Sequence, residues 1–140
     1  MKSPVSRAHK EKKLSYRRRK HKNKKFYNSQ AWRDTREAYL RHYRQRLFRD
    51  IPNGKWDGMS LTAAQVTYII AHPDLPCEIC LKHYIAEAYD TVEKGVELDH
   101  IQAVNPDNAI QSDGYGDPFD FNNLQLLCKR HHAKKSQRER

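Results

Sequence analysis

The sequence predicts a small α+β domain with helices in its N-terminal half and a short strand beyond its middle, stapled by a metal site and preceded by a disordered basic arm. Three observations carry that prediction. Aromatic and aliphatic residues recur at helical spacing from Trp32 to Leu47. The run Val96-Glu97-Leu98-Asp99-His100-Ile101 alternates in the manner of a half-buried strand, and Gly95 marks the turn leading into it. Two pairs of ligand-type residues, Cys77/Cys80 and Cys128/His131, each have the two-residue gap that lets one turn aim both side chains at one ion.

The totals bound the rest. A chain of 140 residues fits one domain, and a hydrophobic fraction of 37% with a mean hydropathy of −1.05 leaves little material for a core. A metal staple suits that shortage. Three cysteines cannot all pair as disulfides, and the longest apolar run, Val66 to Ala71, is far too short to cross a bilayer. A reduced cytoplasmic protein without a membrane partner is expected.

The net charge of +10 is concentrated in residues 1–25, where twelve Lys or Arg stand against the single acid Glu11. That block has almost no apolar periodicity, so it is expected to be disordered when free. Arg17, Arg18, Arg19 and Lys20 form a contiguous cationic run suited to a sequence-blind grip on nucleic-acid phosphates. A solvated tail or a nuclear address is the other reading of the same composition.

Residues 26–140 read as the folded domain, with a helical part over 26–75 and the metal-binding part over 76–140. Ser29 is a candidate N-cap for a helix carrying Trp32, Tyr39, Leu40, Tyr43 and Leu47 toward the core. Asp50-Ile-Pro-Asn-Gly54 stops it. Arg33, Arg36, Arg41 and Arg44 on the other face could touch a DNA backbone or form a solvated face balanced by Asp34 and Glu37. Residues 52–60 read as a loop. Thr62 to His72 reads as a second helix ended by Pro73, with Thr62 and Gln65 forming a capping box and Val66, Tyr68, Ile69 and Ile70 as apolar contributors. Leu81 to Lys94 fits helix or irregular structure, with Tyr84, Ile85, Ala88, Tyr89 and Val92 expected in the core. At the strand's exit Asp99 and His100 point to opposite faces.

Together the two pairs make a Cys₃His zinc site of Cys77, Cys80, Cys128 and His131. The 47 residues between Cys80 and Cys128 mean that an ion there clips the Cys77–Cys80 knuckle to the C-terminal helix across the Asp-His strand. His83, three residues beyond Cys80, is a weaker candidate ligand. His131 and His132 are adjacent and point about 100° apart on a helix, so they do not serve one ion. Buried thiols without metal are the bland alternative.

The combination of these motifs resembles the HNH endonuclease family. Its zinc-stapled bacterial and bacteriophage members share a Phe-Tyr-x-Ser-x-x-Trp-Arg helix, present here from Phe26 to Arg33. They also share a Cys-x-x-Cys knuckle, an Asp-His strand and a closing Asn-Leu-Gln-Leu-Leu-Cys…His segment, here Asn123 to His132. The likeness spans roughly residues 26 to 137. One departure is His131, which stands where most such members carry a second knuckle cysteine; the segment around 52–72 is another, since relatives run more directly into the knuckle.

The resemblance implies a ββα-metal core in which a two-stranded ribbon and a helix hold a divalent ion, Mg²⁺ or similar. Carried over by position, His100 is the general base, Asp99 and His132 bind the catalytic ion, and Asn123 either orients His100 or joins the metal shell. It assigns His131 to zinc; the exchange of His131 and His132 stays open. A neutral imidazole suits base catalysis because its ordinary pKa of about 6.5 lies near working pH. The implied substrate is DNA, expected to be double-stranded, in a packaging, restriction or homing role with phage or other protein partners. Lys129, Arg130, Lys134, Lys135 and Arg138 are candidate phosphate contacts or a dipole-compatible helix end. The competing class is a non-catalytic zinc module that binds DNA or RNA.

Overall fold

Ser29 starts helix α1 (Gln30–Asp50), the longest among the described residues, by accepting a hydrogen bond from the Trp32 N–H at 3.2 Å. Its hydroxyl donates to the Phe26 carbonyl at 2.6 Å and so ties the preceding turn to the helix. This computed structural model describes residues 25–105 and 114–138. Trp32, Tyr39, Tyr43 and Leu47 form the buried face of α1. A 3₁₀ turn at Ile51–Asn53 follows, and Gly54 ends it in the left-handed region at φ 72°.

The stretch read as a loop contains a miniature antiparallel hairpin, β1 (Lys55–Trp56) and β2 (Met59–Ser60). Its turn residues Asp57 and Gly58 both have positive φ, as a type I′ turn requires, and Asp-Gly is a pair that favours it. The hairpin places buried Trp56 edge-on to Tyr43, at 5.8 Å between centroids, with the Arg46 guanidinium 4.6 Å from its ring.

The expected capping box opens α2 (Ala63–Ile70). The Gln65 N–H donates to the Thr62 hydroxyl at 3.1 Å, and the Thr62 N–H donates to the Gln65 side chain at 2.9 Å. The same Gln65 amide donates to the carbonyls of Tyr84 and Ile85 at the end of α3 (Glu78–Ile85), where a helix has no internal donors left. Of the apolar contributors, Ile69 enters the core, whereas Ile70 is 58% exposed. Neighbouring helical positions diverge by about 100°, so one of them faces out. Beyond α3 the chain is irregular; Ile85 and Val92 are buried, whereas Ala88, also expected inside, is exposed.

Strand β3 (Glu97–His100) pairs antiparallel with β4 (Leu124–Leu127), His100 opposite Leu124 and Asp99 opposite Gln125. The ladder extends by 2.8 Å bonds from Val96 N–H to the Leu127 carbonyl and from Ile101 N–H to the Asn123 carbonyl. Leu98 is partly buried, but Val96 and Ile101, also counted toward its apolar pattern, are more than a third exposed. Gly95 is required by contact, since a Cβ there would overlap the Leu126 side chain. Strand β4 separates two apolar clusters: Leu124 and Leu126 join α1, while Leu127 packs with Cys77, Cys80, Val92 and Cys128. Helix α4 (Lys129–Arg138) is the last described element. Among the described residues no helix is long and apolar enough to cross a membrane.

Candidate metal centre and the strand-exit site

Cys77 caps α3, and its Sγ accepts the Cys80 N–H at 3.5 Å; Cys128 precedes α4, and its Sγ accepts the His131 N–H at 3.4 Å. These two knuckles meet across β4. His131 Nδ1 lies 3.6, 3.5 and 3.2 Å from the Sγ atoms of Cys77, Cys80 and Cys128, and the Cys80 and Cys128 sulfurs are 3.9 Å apart. All four ligand atoms lie within 4.8 Å of one another. Tetrahedral zinc at ordinary bond lengths spaces its ligand atoms about 3.5–3.8 Å apart, so the donor set and its spacing fit one such ion.

The electrostatics point the same way. None of the three cysteines is in a disulfide. Burial pushes the Cys128 thiol up to about 12 and raises that of Cys80, so without a cation these groups hold their protons. Burial, helped by Arg130 and Lys134, lowers the pKa of His131 and favours the neutral form that binds metal. With Nδ1 turned to the thiols, its Nε2–H donates to the Tyr89 hydroxyl at 3.3 Å, an outer contact that fixes the ring. His132, half-buried, lies outside this group, and so does the exposed His83, whose ring is 4.7 Å from that of Tyr89. The fold therefore brings His131 and not its neighbour to the cysteines.

At the other end of the ribbon His100 is only 2% exposed. Its Nε2 lies 3.0 Å from the Pro118 carbonyl. A carbonyl can only accept, so Nε2 donates to it; Nδ1 faces the Tyr27 hydroxyl at 3.4 Å. Trp32, Tyr27 and Phe26 roof the ring at centroid distances of 5.0, 6.1 and 6.3 Å. Sequence reasoning treated Phe26 and Tyr27 as marks of resemblance and missed this contact. The motif was visible; its partner, 73 residues away, was not.

Asn123 spends its carboxamide on the backbone. Its Nδ2 donates to the carbonyls of Gln102 and Asp117, each at 3.1 Å, and its Oδ1 accepts the Gln102 N–H at 2.8 Å. This fastens the segment holding Pro118 to the exit of β3. Gly116 makes the approach possible, since a Cβ there would collide with the Asn123 side chain and the Gln102 carbonyl. The neighbouring Asn122 is exposed, and its N–H closes a turn on Asp120.

Asp99 points away from His100 and pairs with Lys135, Nζ to Oδ2 at 2.9 Å. Lys135 was expected among the phosphate contacts; instead it is buried, because it lies on the face of α4 turned toward β3. His132 precedes it by three residues and shares that side of the helix. Lys129, Arg130 and Lys134 are exposed. The candidate phosphate contacts Arg17, Arg18, Arg19 and Lys20 lie outside the described residues, as does the expected arm except Lys25. No protein-family model, curated protein or solved structure matches this chain.

Proposed function

We propose that this protein is a metal-dependent endonuclease of the HNH type that hydrolyses phosphodiester bonds in DNA. The observation that supports this reading is the pairing at one strand exit of a carboxylate and an imidazole aimed to opposite sides, with the imidazole proton held on the Pro118 carbonyl. In this reading His100 Nδ1 accepts a proton from the attacking water. Asn123 is a positioning residue that holds the 116–118 segment and thereby the carbonyl that orients His100. Asp99 and His132 are the ligands for a divalent ion such as Mg²⁺, which when bound neutralises charge developing on the leaving oxygen. The Cys77, Cys80, Cys128 and His131 group holds structural zinc. Exposed Lys129, Arg130 and Lys134, with the basic arm, meet the phosphates. A phage packaging, restriction or homing setting follows from the resemblance alone.

The aromatic roof over His100 favours a second reading, a zinc-stabilised module that binds nucleic acid without cutting it. Cleavage of supercoiled plasmid by zinc-loaded wild type and His100→Ala, each with EDTA, Mg²⁺ or Mn²⁺, separates the two. Ion-dependent cutting by wild type alone is expected. Binding without cutting by both proteins under every ion would move the second reading ahead.

A further inference from the structure

The segment 52–72 has no task in the nuclease reading, yet its α2 end helps wall a groove of about 740 Å³. The groove runs along α1, where Arg36, Leu40, Arg44 and Phe48 recur every four residues. Phe48 is 74% exposed, Ile70 of α2 is 58% exposed and Val96 at the start of β3 is 39% exposed; all three border this one groove. Large apolar side chains gathered in this way mark a contact surface, whereas scattered ones carry no such meaning. Among the described residues, the charged ones lining it are three cations, Arg36, Arg44 and Lys94, against one acid, Asp74.

We propose that this groove docks an acidic amphipathic helix of a partner protein. The apolar face of that helix lies on Phe48, Ile70 and Val96, and its carboxylates meet Arg36, Arg44 and Lys94. From Arg36 to Phe48 helix α1 rises about 18 Å, which roughly 12 residues of a second helix would match. Two other occupants fit less well. A two-fold contact between copies of this chain sets the same cations against each other. A DNA backbone satisfies the cations but leaves Phe48 and Ile70 against phosphate and water. The inference stands independently of the nuclease reading, and its test measures binding without cleavage.

The probe is a fluorescein-labelled synthetic helix of about 14 residues, with leucines on one face and glutamates on the others, titrated with full-length zinc-loaded protein. Saturable binding is expected, weakened about tenfold or more by Phe48→Ser and by Arg44→Glu, with melting temperatures close to wild type because both side chains are exposed. A peptide of the same composition with its leucines scrambled around the helix should bind no better than the variants. No binding by wild type, equal binding of the scrambled peptide, or indifference to both substitutions overturns the proposal. A short DNA duplex that displaces the peptide and is itself weakened by Phe48→Ser reassigns the groove to nucleic acid. A concentration-dependent dimer abolished by Phe48→Ser reassigns it to self-association.

Discussion

The Lys135 ammonium lies 2.9 Å from the Asp99 carboxylate, with only 10% and 18% of the two side chains exposed. The chain thus supplies its own cation beside the carboxylate proposed to bind the catalytic ion. Removing one partner of a shielded ion pair leaves the other charge uncompensated.

Lys135→Met is expected to lose about 1–3 kcal/mol of stability when no divalent ion is present. Added Mn²⁺ should then raise its melting temperature by more than it raises that of wild type, because the ion takes over the neutralisation of Asp99. Thermal melts of both proteins with and without Mn²⁺ read this directly. Equal responses would remove Asp99 from the proposed ion site.

Asn123→Ala should slow cleavage about 10–100-fold, the usual range for groups that orient a reacting residue. The Mg²⁺ concentration at half-maximal rate should stay unchanged, since the Asn123 amide groups are committed to backbone partners. A marked rise in that concentration would instead put Asn123 in the metal shell.

Among the ligand variants, Cys77→Ser and His131→Ala are expected to lose zinc and to lower the melting temperature by more than about 10 °C. His132→Ala should retain its zinc. Metal analysis after gel filtration distinguishes the two histidines, and zinc loss in the His132 variant would reverse their assignment.

Glu78 gives a pH signature. Burial raises its carboxyl above the ordinary value, while one of its oxygens accepts from the Tyr39 hydroxyl at 2.6 Å and from the Leu126 N–H. The folded chain therefore binds the proton more tightly than the unfolded one. Its contribution is most favourable below the ordinary carboxylate range and is lost as pH rises through the raised value. Glu78→Gln keeps an acceptor for both donors and carries no charge, so it should be at least as stable as wild type at neutral pH. The stability gap between the two should widen in the variant's favour as pH rises from the acidic side, and a gap moving in wild type's favour would refute the account.

Local signals were legible wherever one element and its own side chains settled the matter. Ser29, the Thr62–Gln65 box and the Trp32-to-Leu47 stripe each specify a helix from within a few turns, and the structure has those helices. The Asp57-Gly58 turn was equally local and was overlooked in a stretch too short to show strand periodicity. Faces were harder to read. Ile70 and Val96 are apolar by type, but which side of a short element meets the core depends on neighbours distant in sequence.

The two candidate ligand pairs were legible in the sequence alone, because a two-residue gap lets one turn aim both side chains the same way whatever surrounds them. The sequence also specified the adjacency of Asp99 and His100 and their opposite directions, which follow from the pleat of a strand. Packing between distant segments turns Lys135 inward to Asp99, makes Asn123 clamp the segment holding Pro118, and sets Tyr27 over Nδ1 of His100. Each joins residues 6 to 73 positions apart through loops or packed elements, and no local propensity encodes where such partners meet.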